Sequence, residues 1–372
     1  LIRKRAPHVD VVFGTHNLTS APVLLRRSAV EGPIVEVLDV PDPDAPPPHL
    51  AAPPVRELPY AAWITIQTGC DNSCAFCVVP SVRGGEVSRP LGDIVSEVET
   101  LARRGVVEIT LLGQNVNSYG RDITRRSPLF AELLRAVGAV EGIDRVRFTS
   151  PHPKDLRPET MAAMAETETV CPQLHLPLQS GSDRILSAMR RGYTARRYLD
   201  RVAAVRASVP DLALTTDIIV GFPGETEDDF VATLDVAAEA HYDSAYTFLF
   251  SPRPGTRAAA LTEEFVPDEV AAERFERLRV VVERSALTKH QARVGLEERL
   301  LVEGPSRKDP TVLTGRTRQG KLAHFAGGSE TLPAGSLADV RVTGAAPHHL
   351  RAELVGVVAR PRHRSRIPVA SR

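Results

Sequence analysis

From Tyr60 to about Phe250, short apolar runs alternate with longer amphipathic stretches. The runs AAWITIQT, VVEITLLG, DRVRFTS, CPQLHLPL, DLALTTDIIVG and DSAYTFLF predict six strands. Between them, LGDIVSEVETLARRG, PLFAELLRAVGAV, TARRYLDRVAAVRASV and TEDDFVATLDVAAEAHY hold apolar positions three and four apart and predict helices. Strands that alternate with helices make parallel βαβ units, in an open sheet or a barrel. In a barrel, chemistry gathers where strands end and the following loops begin. Polar clusters fall at those places here: TGCDNSC, LGQNVNS, TSPHP, LQSGSD and VGFPGE. One such cluster is ordinary loop composition, whereas five at successive strand ends mark a site.

The flanks differ from this core. Residues 41–59 carry eight prolines and predict a stiff connector, since proline at that density fits neither a helix nor a central strand. Residues 1–40 read as the α/β remnant of an upstream domain. The chain opens on Leu1 with no hydrophobic core of a signal peptide, so a piece of a longer protein is expected. Beyond the core, a long helix rich in Arg and Glu is expected over 268–294. Then LEERLLVEGP, VLTGRTRQG, LAHFAGG, SLADVRVTGA and ELVGVVAR predict short strands spaced by glycine turns, a pattern for a small closed β-barrel. The tail from Val357 has five arginines and no acid, and disorder is expected there.

Composition narrows the classes. A length of 372 residues suggests two or three domains. With 42% hydrophobic and 25% charged residues, and no apolar run near the length of a membrane span, no membrane role is expected. Basic and acidic residues number 46 each, so bulk charge says nothing about nucleic acid and any such partner must be argued from local patches. Four cysteines are few for a secreted disulfide scaffold, and three of them fall within eight residues. That points to a metal in a reducing compartment, the cytoplasm.

Cys70, Cys74 and Cys77 form C-x3-C-x2-C in the loop after the first core strand. Zinc sites usually draw two short ligand pairs from separate places. Three thiolates in one loop suit an iron–sulfur cubane with three irons held by protein and the fourth open, and an open position is where metal chemistry happens. The alternative is a zinc loop completed by a distant His or by Cys171, although Cys171, at the start of a strand, is expected to be a small buried apolar residue.

The cysteine spacing after strand one of a six-unit βα barrel resembles the radical S-adenosylmethionine (SAM) superfamily. There the open iron chelates the amino and carboxylate groups of SAM, and one electron cleaves SAM to a deoxyadenosyl radical. The resemblance implies Phe76 beside the adenine, and SAM contacts from Glu86, Gln179, Ser180, Asp217 and Gly221. DIIVGFPGE is similar to a glycine-containing strand of that superfamily, where Gly221 would let backbone approach a ligand; a plain buried strand ending in a turn is the alternative. The blocks QTGCDNSCAFCVVPSVRGGEVSRP, LLGQNVNSYG, TSPHPKD, LHLPLQSGSDRILSAMRRGYT, TTDIIVGFPGETEDDF and FLFSPRPGT resemble the methylthiotransferases. Within them, LLGQNVNSYG and TSPHP are similar to the branch acting on isopentenyladenosine in tRNA (the MiaB type).

The C-terminal strands resemble the TRAM module, an OB-like barrel of RNA-modifying enzymes. Arg307, Lys308, Arg316, Arg318, Lys321 and Phe325 would offer cations to a phosphate backbone and an aromatic for stacking; a solvated basic face is the alternative. The fold implied is α/β: an N-terminal fragment, a partial (βα)6 radical SAM barrel over 60–290, the small barrel over 292–357 and a basic tail over 358–372. Methylthiotransferases carry three further cysteines in an N-terminal domain, holding a second cluster. The first cysteine here is Cys70, so one 4Fe-4S cluster is expected in this chain where the full-length family member holds two. The expected activity is methylthiolation of carbon 2 of N6-isopentenyladenosine beside the anticodon. One SAM would supply the radical and another the methyl group, with an electron-donor protein, a sulfur donor and a monomeric enzyme. Action on threonylcarbamoyladenosine or a ribosomal-protein aspartate, or a non-enzymatic zinc-loop RNA-binding protein, are the competing readings.

Overall fold

The computed structural model describes residues 2–38, 58–327 and 332–362. The proline-rich connector, apart from its last two residues, and the tail from 363 onward lie outside the described residues. At the N-terminal end, β1 (Val11–Phe13) pairs in parallel with β2 (Ile34–Glu36), joined by a helix over Ala21–Glu31. This βαβ remnant touches the core where Thr15 Oγ1 donates to the Val82 carbonyl at 3.0 Å, next to the cysteine loop.

All six expected core strands form. They are β3 (Ala61–Thr65), β6 (Glu108–Leu112), β7 (Arg145–Phe148), β8 (Gln173–His175), β9 (Ala213–Val220) and β10 (Ser244–Leu249). The short β4 (Gln67–Thr68) and β5 (Val87–Ser88) form an antiparallel tie over the cysteine loop. The core strands run parallel as β3-β6-β7 and β8-β9-β10, and a bridge between Val146 and Val170 joins the two sets. Among the described residues no pairing joins β3 to β10, so the sheet is a partial barrel with a seam between its two edge strands.

Strand parity sorts the wall. Ala62, Ile64, Ile109, Leu111, Val146, Leu174, Leu214 and Ile218 point outward into one core with the surrounding helices. These include the expected helices, found over Leu91–Arg103, Phe130–Gly138, Ala195–Ser208 and Glu227–Ala240. Two further helices, Pro158–Glu166 and Asp183–Ala188, lack a sequence pattern strong enough to announce them. The alternate residues, among them Trp63, Thr110, Arg147, Gln173, His175, Asp217 and Tyr246, face the lumen.

The long helix runs over Asp268–Gln291 and buries Ala271, Leu278, Val282 and Ala286. It leads into a closed five-stranded barrel, in the order β11 (Glu297–Pro305), β12 (Val312–Arg316), β13 (Leu322–Ala326), β15 (His349–Ala359) and β14 (Leu337–Ala346). Its last strand passes the expected boundary at 357 by two residues. The small barrel sits against the N-terminal ends of the core strands, where Arg145 donates to the carbonyls of Arg316 (2.8 Å) and Arg299 (2.9 Å).

Candidate active site

The cysteine loop is held from three sides. Gly69 has φ +77, and a Cβ there would meet the Gly85 carbonyl at 1.9 Å, so only glycine lets the loop close on this segment. The Cys70 amide donates to Gly84 O at 3.1 Å, the Ala75 amide to Met189 O at 3.0 Å, and the Ala258 amide to Ala75 O at 2.9 Å. All three cysteines are free thiols, with Cys70 buried and Cys74 and Cys77 half-buried. Arg191, 5% exposed, donates from Nη1 to Cys74 Sγ at 3.3 Å, and the Val79 amide donates to Cys77 Sγ at 3.5 Å. Donors aimed at sulfur suit thiolate ligands.

Burial pushes the Cys70 thiol up from its ordinary value; Asn72 opposes this with a backbone hydrogen bond, and the charges of Glu86 and Cys74 add to it. A bound metal would reverse that penalty, because its positive charge favours deprotonated sulfur. Among the described residues no three His, Cys, Asp or Glu side chains converge as a single ion requires. A four-ligand zinc site needs that convergence. A cubane does not, because each thiolate meets its own iron. The loop therefore fits a three-cysteine cluster by its donor set. Cys171 is 1% exposed and its amide donates to Val146 O at 2.9 Å, at the opposite end of the strands.

Around the loop, buried polar atoms lack protein partners. Gln67 Oε1, Gln114 Oε1, Asn115 Oδ1, His152 Nε2 and Gln179 Oε1 are all of this kind, and they follow β3, β6, β7 and β8 in turn. Buried polar atoms are ordinarily paired, so such a concentration is a set of groups awaiting a ligand. Ser150 (φ 60) and Gln179 (φ 70) hold left-handed backbone at the same strand ends. His152 stays neutral, its pKa pulled down to about 2 by burial and by the nearby Arg191 and Lys154.

The expected SAM contacts divide. Gln179 carries one of the unpartnered oxygens. Glu86 is half-buried beside the loop, with its pKa raised mainly by burial and eased by hydrogen bonds from Ser118 and Asn115. Asp217 faces the lumen, where His175 Nε2 lies 3.2 Å from its Oδ2. Phe76 packs against Ala75, Ile185, Met189 and Phe222 at the rim. Ser180 is different: it is fully buried, its Oγ 3.3 Å from Thr233 Oγ1 and accepting from the Ser182 amide at 3.2 Å, so its hydroxyl is occupied. Gly221 also departs from expectation. Its φ is +75, and a Cβ would meet Ala271 Cβ at 2.9 Å, so glycine serves packing of the long helix rather than approach to a ligand.

The RNA-contact expectations need more correction. Phe325 is 2% exposed in the core of the small barrel and offers no face for stacking. Lys321 is buried in an ion pair with Asp243, and Arg318 donates to the carbonyls of Glu168 and Val170. Arg316 pairs with Glu303 at 2.8 Å. Lys321 and Arg318 fasten the small barrel to the core, while Arg316 is paired within the small barrel, roles that spacing alone does not distinguish from phosphate binding. Arg307 and Lys308 are exposed in the turn after β11. Near Lys308, His324 and His349 stack edge-on at 5.0 Å, and Arg351 is the cross-strand neighbour of His324. Burial, with His324, Arg351, His348 and Lys308 nearby, holds the His349 imidazole below its ordinary value.

Sequence reasoning passed over Arg191, His152, Gln67, Gln114 and Asn115 as individual residues. Each lies inside a polar block, but one charged or amide residue in a block looks like the next until the fold aims it. No described helix is long and apolar enough to cross a membrane.

Comparison with known proteins now adds to this geometry. The radical SAM superfamily matches residues 64–237 and the TRAM domain matches residues 291–355. The tRNA-2-methylthio-N(6)-dimethylallyladenosine synthase 1 of Mycobacterium marinum is 50% identical over 375 residues, covering 95% of this chain and 69% of its own length. The synthase of Acidothermus cellulolyticus is 51% identical over 369 residues, covering 97% of this chain and 72% of its own. Among solved structures, the radical SAM methyltransferase TsrM of Kitasatospora setae overlaps 54% of this chain and 38% of its own at 19% identity and TM-score 0.46, too distant for any inference. By its match to these relatives over nearly its whole length, the chain belongs to the tRNA-2-methylthio-N(6)-dimethylallyladenosine synthase family of radical SAM enzymes.

Proposed function

We propose that this chain is the radical core and RNA-binding module of an enzyme that adds a methylthio group to carbon 2 of N6-isopentenyladenosine adjacent to the anticodon of tRNA. One observation supports it above the rest: free thiols and unpartnered polar atoms share one end of the barrel in a chain half identical to synthases of that name. In this reading Cys70, Cys74 and Cys77 hold a 4Fe-4S cluster in the core over 60–290. Such a cluster would supply the one electron that cleaves SAM, the chemistry needed to take hydrogen from an unactivated carbon.

The chain's own residues bind and orient. Glu86, a carboxyl short of a cationic partner, is suited to the SAM ammonium, and Gln179 and Asn115 are suited to its polar edges. Phe76 presents an apolar surface for the adenine. Arg191 keeps Cys74 in place from behind, through a guanidinium that also donates from Nε to Tyr193 at 3.1 Å. RNA contact falls to Arg307 and Lys308 and to the His324, His349 and Arg351 face of the module over 292–357. The reaction also needs an electron-donor protein and a sulfur donor. A tRNA substrate and reduced thiols suit a monomeric enzyme of the cytoplasm.

Mass analysis of tRNA nucleosides from a deletion strain tests the reading. Loss of the methylthio group from prenylated adenosine is the expected result. Unchanged methylthio content overturns it, and loss of a ribosomal-protein modification instead would move the chain to another branch of the methylthiotransferases.

A further inference from the structure

The two edge strands of the partial barrel carry bare aromatics on their lumen side. Trp63 on β3 is 72% exposed, and Tyr246 and Phe248 on β10 are 62% and 49% exposed. Barrel interiors are ordinarily filled by their own side chains. Here six strands leave a lumen that the chain does not fill, and the largest aromatic stands free in it. Trp63 borders a cavity of about 530 Å³ whose apolar wall is Leu58, Ala61, Leu112 and, from the small barrel, Leu301. That volume lies in the range for small-ligand sites, roughly 300–1,000 Å³, and is far too small for a strand of RNA.

The charged groups of the cavity are already neutralised. Arg147 pairs with Glu108 at 3.0 Å, and Arg316 pairs with Glu303 at 2.8 Å. A pocket with an indole face, aliphatic walls and internally paired charges selects a flat, uncharged, alkyl-bearing ligand. Its depth also suits the chemistry. Five residues of extended chain separate Trp63 from Thr68 at the edge of the cysteine loop, at most roughly 16 Å at the usual strand rise, which leaves room for a SAM-sized ligand between.

We infer that Trp63 is the stacking platform for the prenylated adenine, and that the adjoining cavity takes its N6-alkyl group and so sets the preference for prenylated RNA. This rests on the tRNA reading above. Tyr246, on the opposite edge strand, faces the same lumen and ties to the wall through His175, whose ring lies 6.3 Å from it.

The chain has a single tryptophan, so its emission reports on position 63 alone. The probes are an anticodon stem–loop RNA carrying N6-isopentenyladenosine and the same RNA with plain adenosine, each titrated into the cluster-loaded full chain. Binding is followed by anisotropy of a fluorophore on the RNA. The prenylated RNA should bind more tightly and shift the Trp63 emission. Trp63→Phe should keep the preference. Trp63→Ala should weaken both RNAs, whose adenines present the same ring face, and the prenylated RNA roughly ten- to hundredfold, the usual cost of losing a base-stacking aromatic. Thermal melting of both variants checks the fold. Unchanged affinity of Trp63→Ala for the prenylated RNA, or prenylated RNA bound with no change in emission, overturns the assignment of Trp63 while leaving tRNA as substrate. Failure of the unaltered chain to bind either RNA overturns the tRNA reading and this inference with it.

Discussion

The two ends of the core barrel are built from the same strands and treat polar atoms in opposite ways. At the N-terminal end, under the small barrel, Arg145 is 2% exposed; burial pulls its pKa down to about 10, and it still finds the carbonyls of Arg299 and Arg316. Arg147 meets Glu108 and the carbonyls of Thr317 and Arg318, and Lys321 meets Asp243. Gln319 Oε1 is the exception there, although its amide nitrogen reaches Asp211. At the C-terminal end, six buried polar atoms of the described residues lack a protein partner, Arg89 Nε among them, beside three free thiols. Pairing a buried group stabilises a fold, and leaving it unpaired costs stability unless a ligand completes it. One end of the barrel spends its polar atoms on cohesion, and the other leaves them open to a ligand.

Substitutions should separate these roles. Cys74→Ala should abolish release of deoxyadenosine from SAM by anaerobically loaded protein, whereas Cys171→Ala should leave it nearly intact. Equal loss would make Cys171 a ligand and erase the distinction between the ends. Iron analysis of the same material should give about four atoms per chain, the content of one such cluster. At the cohesive end, Lys321→Met leaves the Asp243 carboxylate buried and unpaired and should cost about 3–5 kcal/mol in denaturant unfolding. Adding Asp243→Asn should recover much of that loss. No effect of Lys321→Met would mean that the two domains do not depend on this pair.

Smaller effects sharpen the contrast. Gln179→Ala removes an unpartnered acceptor, so unfolding should be nearly unchanged while SAM affinity falls about tenfold, the worth of one lost hydrogen bond to a charged ligand. Isothermal titration and a melting curve on the same sample decide it; a large stability loss would make Gln179 a packing residue. The last effect is proton-linked. His152 is held neutral when folded, with a pKa of about 2, against an ordinary 6.5 when unfolded. Below the unfolded value only the unfolded chain takes up the proton, so stability should fall with pH by about 1.4 kcal/mol per unit from pH 6.5 downward. His152→Asn should flatten that slope in unfolding measured between pH 6.5 and 5.5.

Much of this was legible in advance because it is local. The six core strands and their helices follow from period-two and period-3.6 patterns that each segment carries within itself, as do the long helix and the five strands of the small barrel. The helices at 158–166 and 183–188 escaped because they are short and their apolar positions are sparse. Three thiols in eight residues of chain need no fold to bring them together, so their grouping in one loop could be read from spacing alone.

What sequence alone determined was therefore the elements, the cysteine trio and the family resemblance, all properties of residues near one another along the chain. Tertiary structure decided which polar groups are spent and which are left over. Lys321, Arg318, Arg316 and Phe325 read as an RNA surface until docking turned Lys321 and Arg318 toward the core, Glu303 on the next strand paired with Arg316, and burial closed over Phe325. Ser180 and Gly221 were claimed by helices packed against them, and Trp63, an ordinary strand residue in the pattern, was left bare in the lumen. A side chain's availability depends on what segments distant in sequence place beside it, and that is set only when the chain folds.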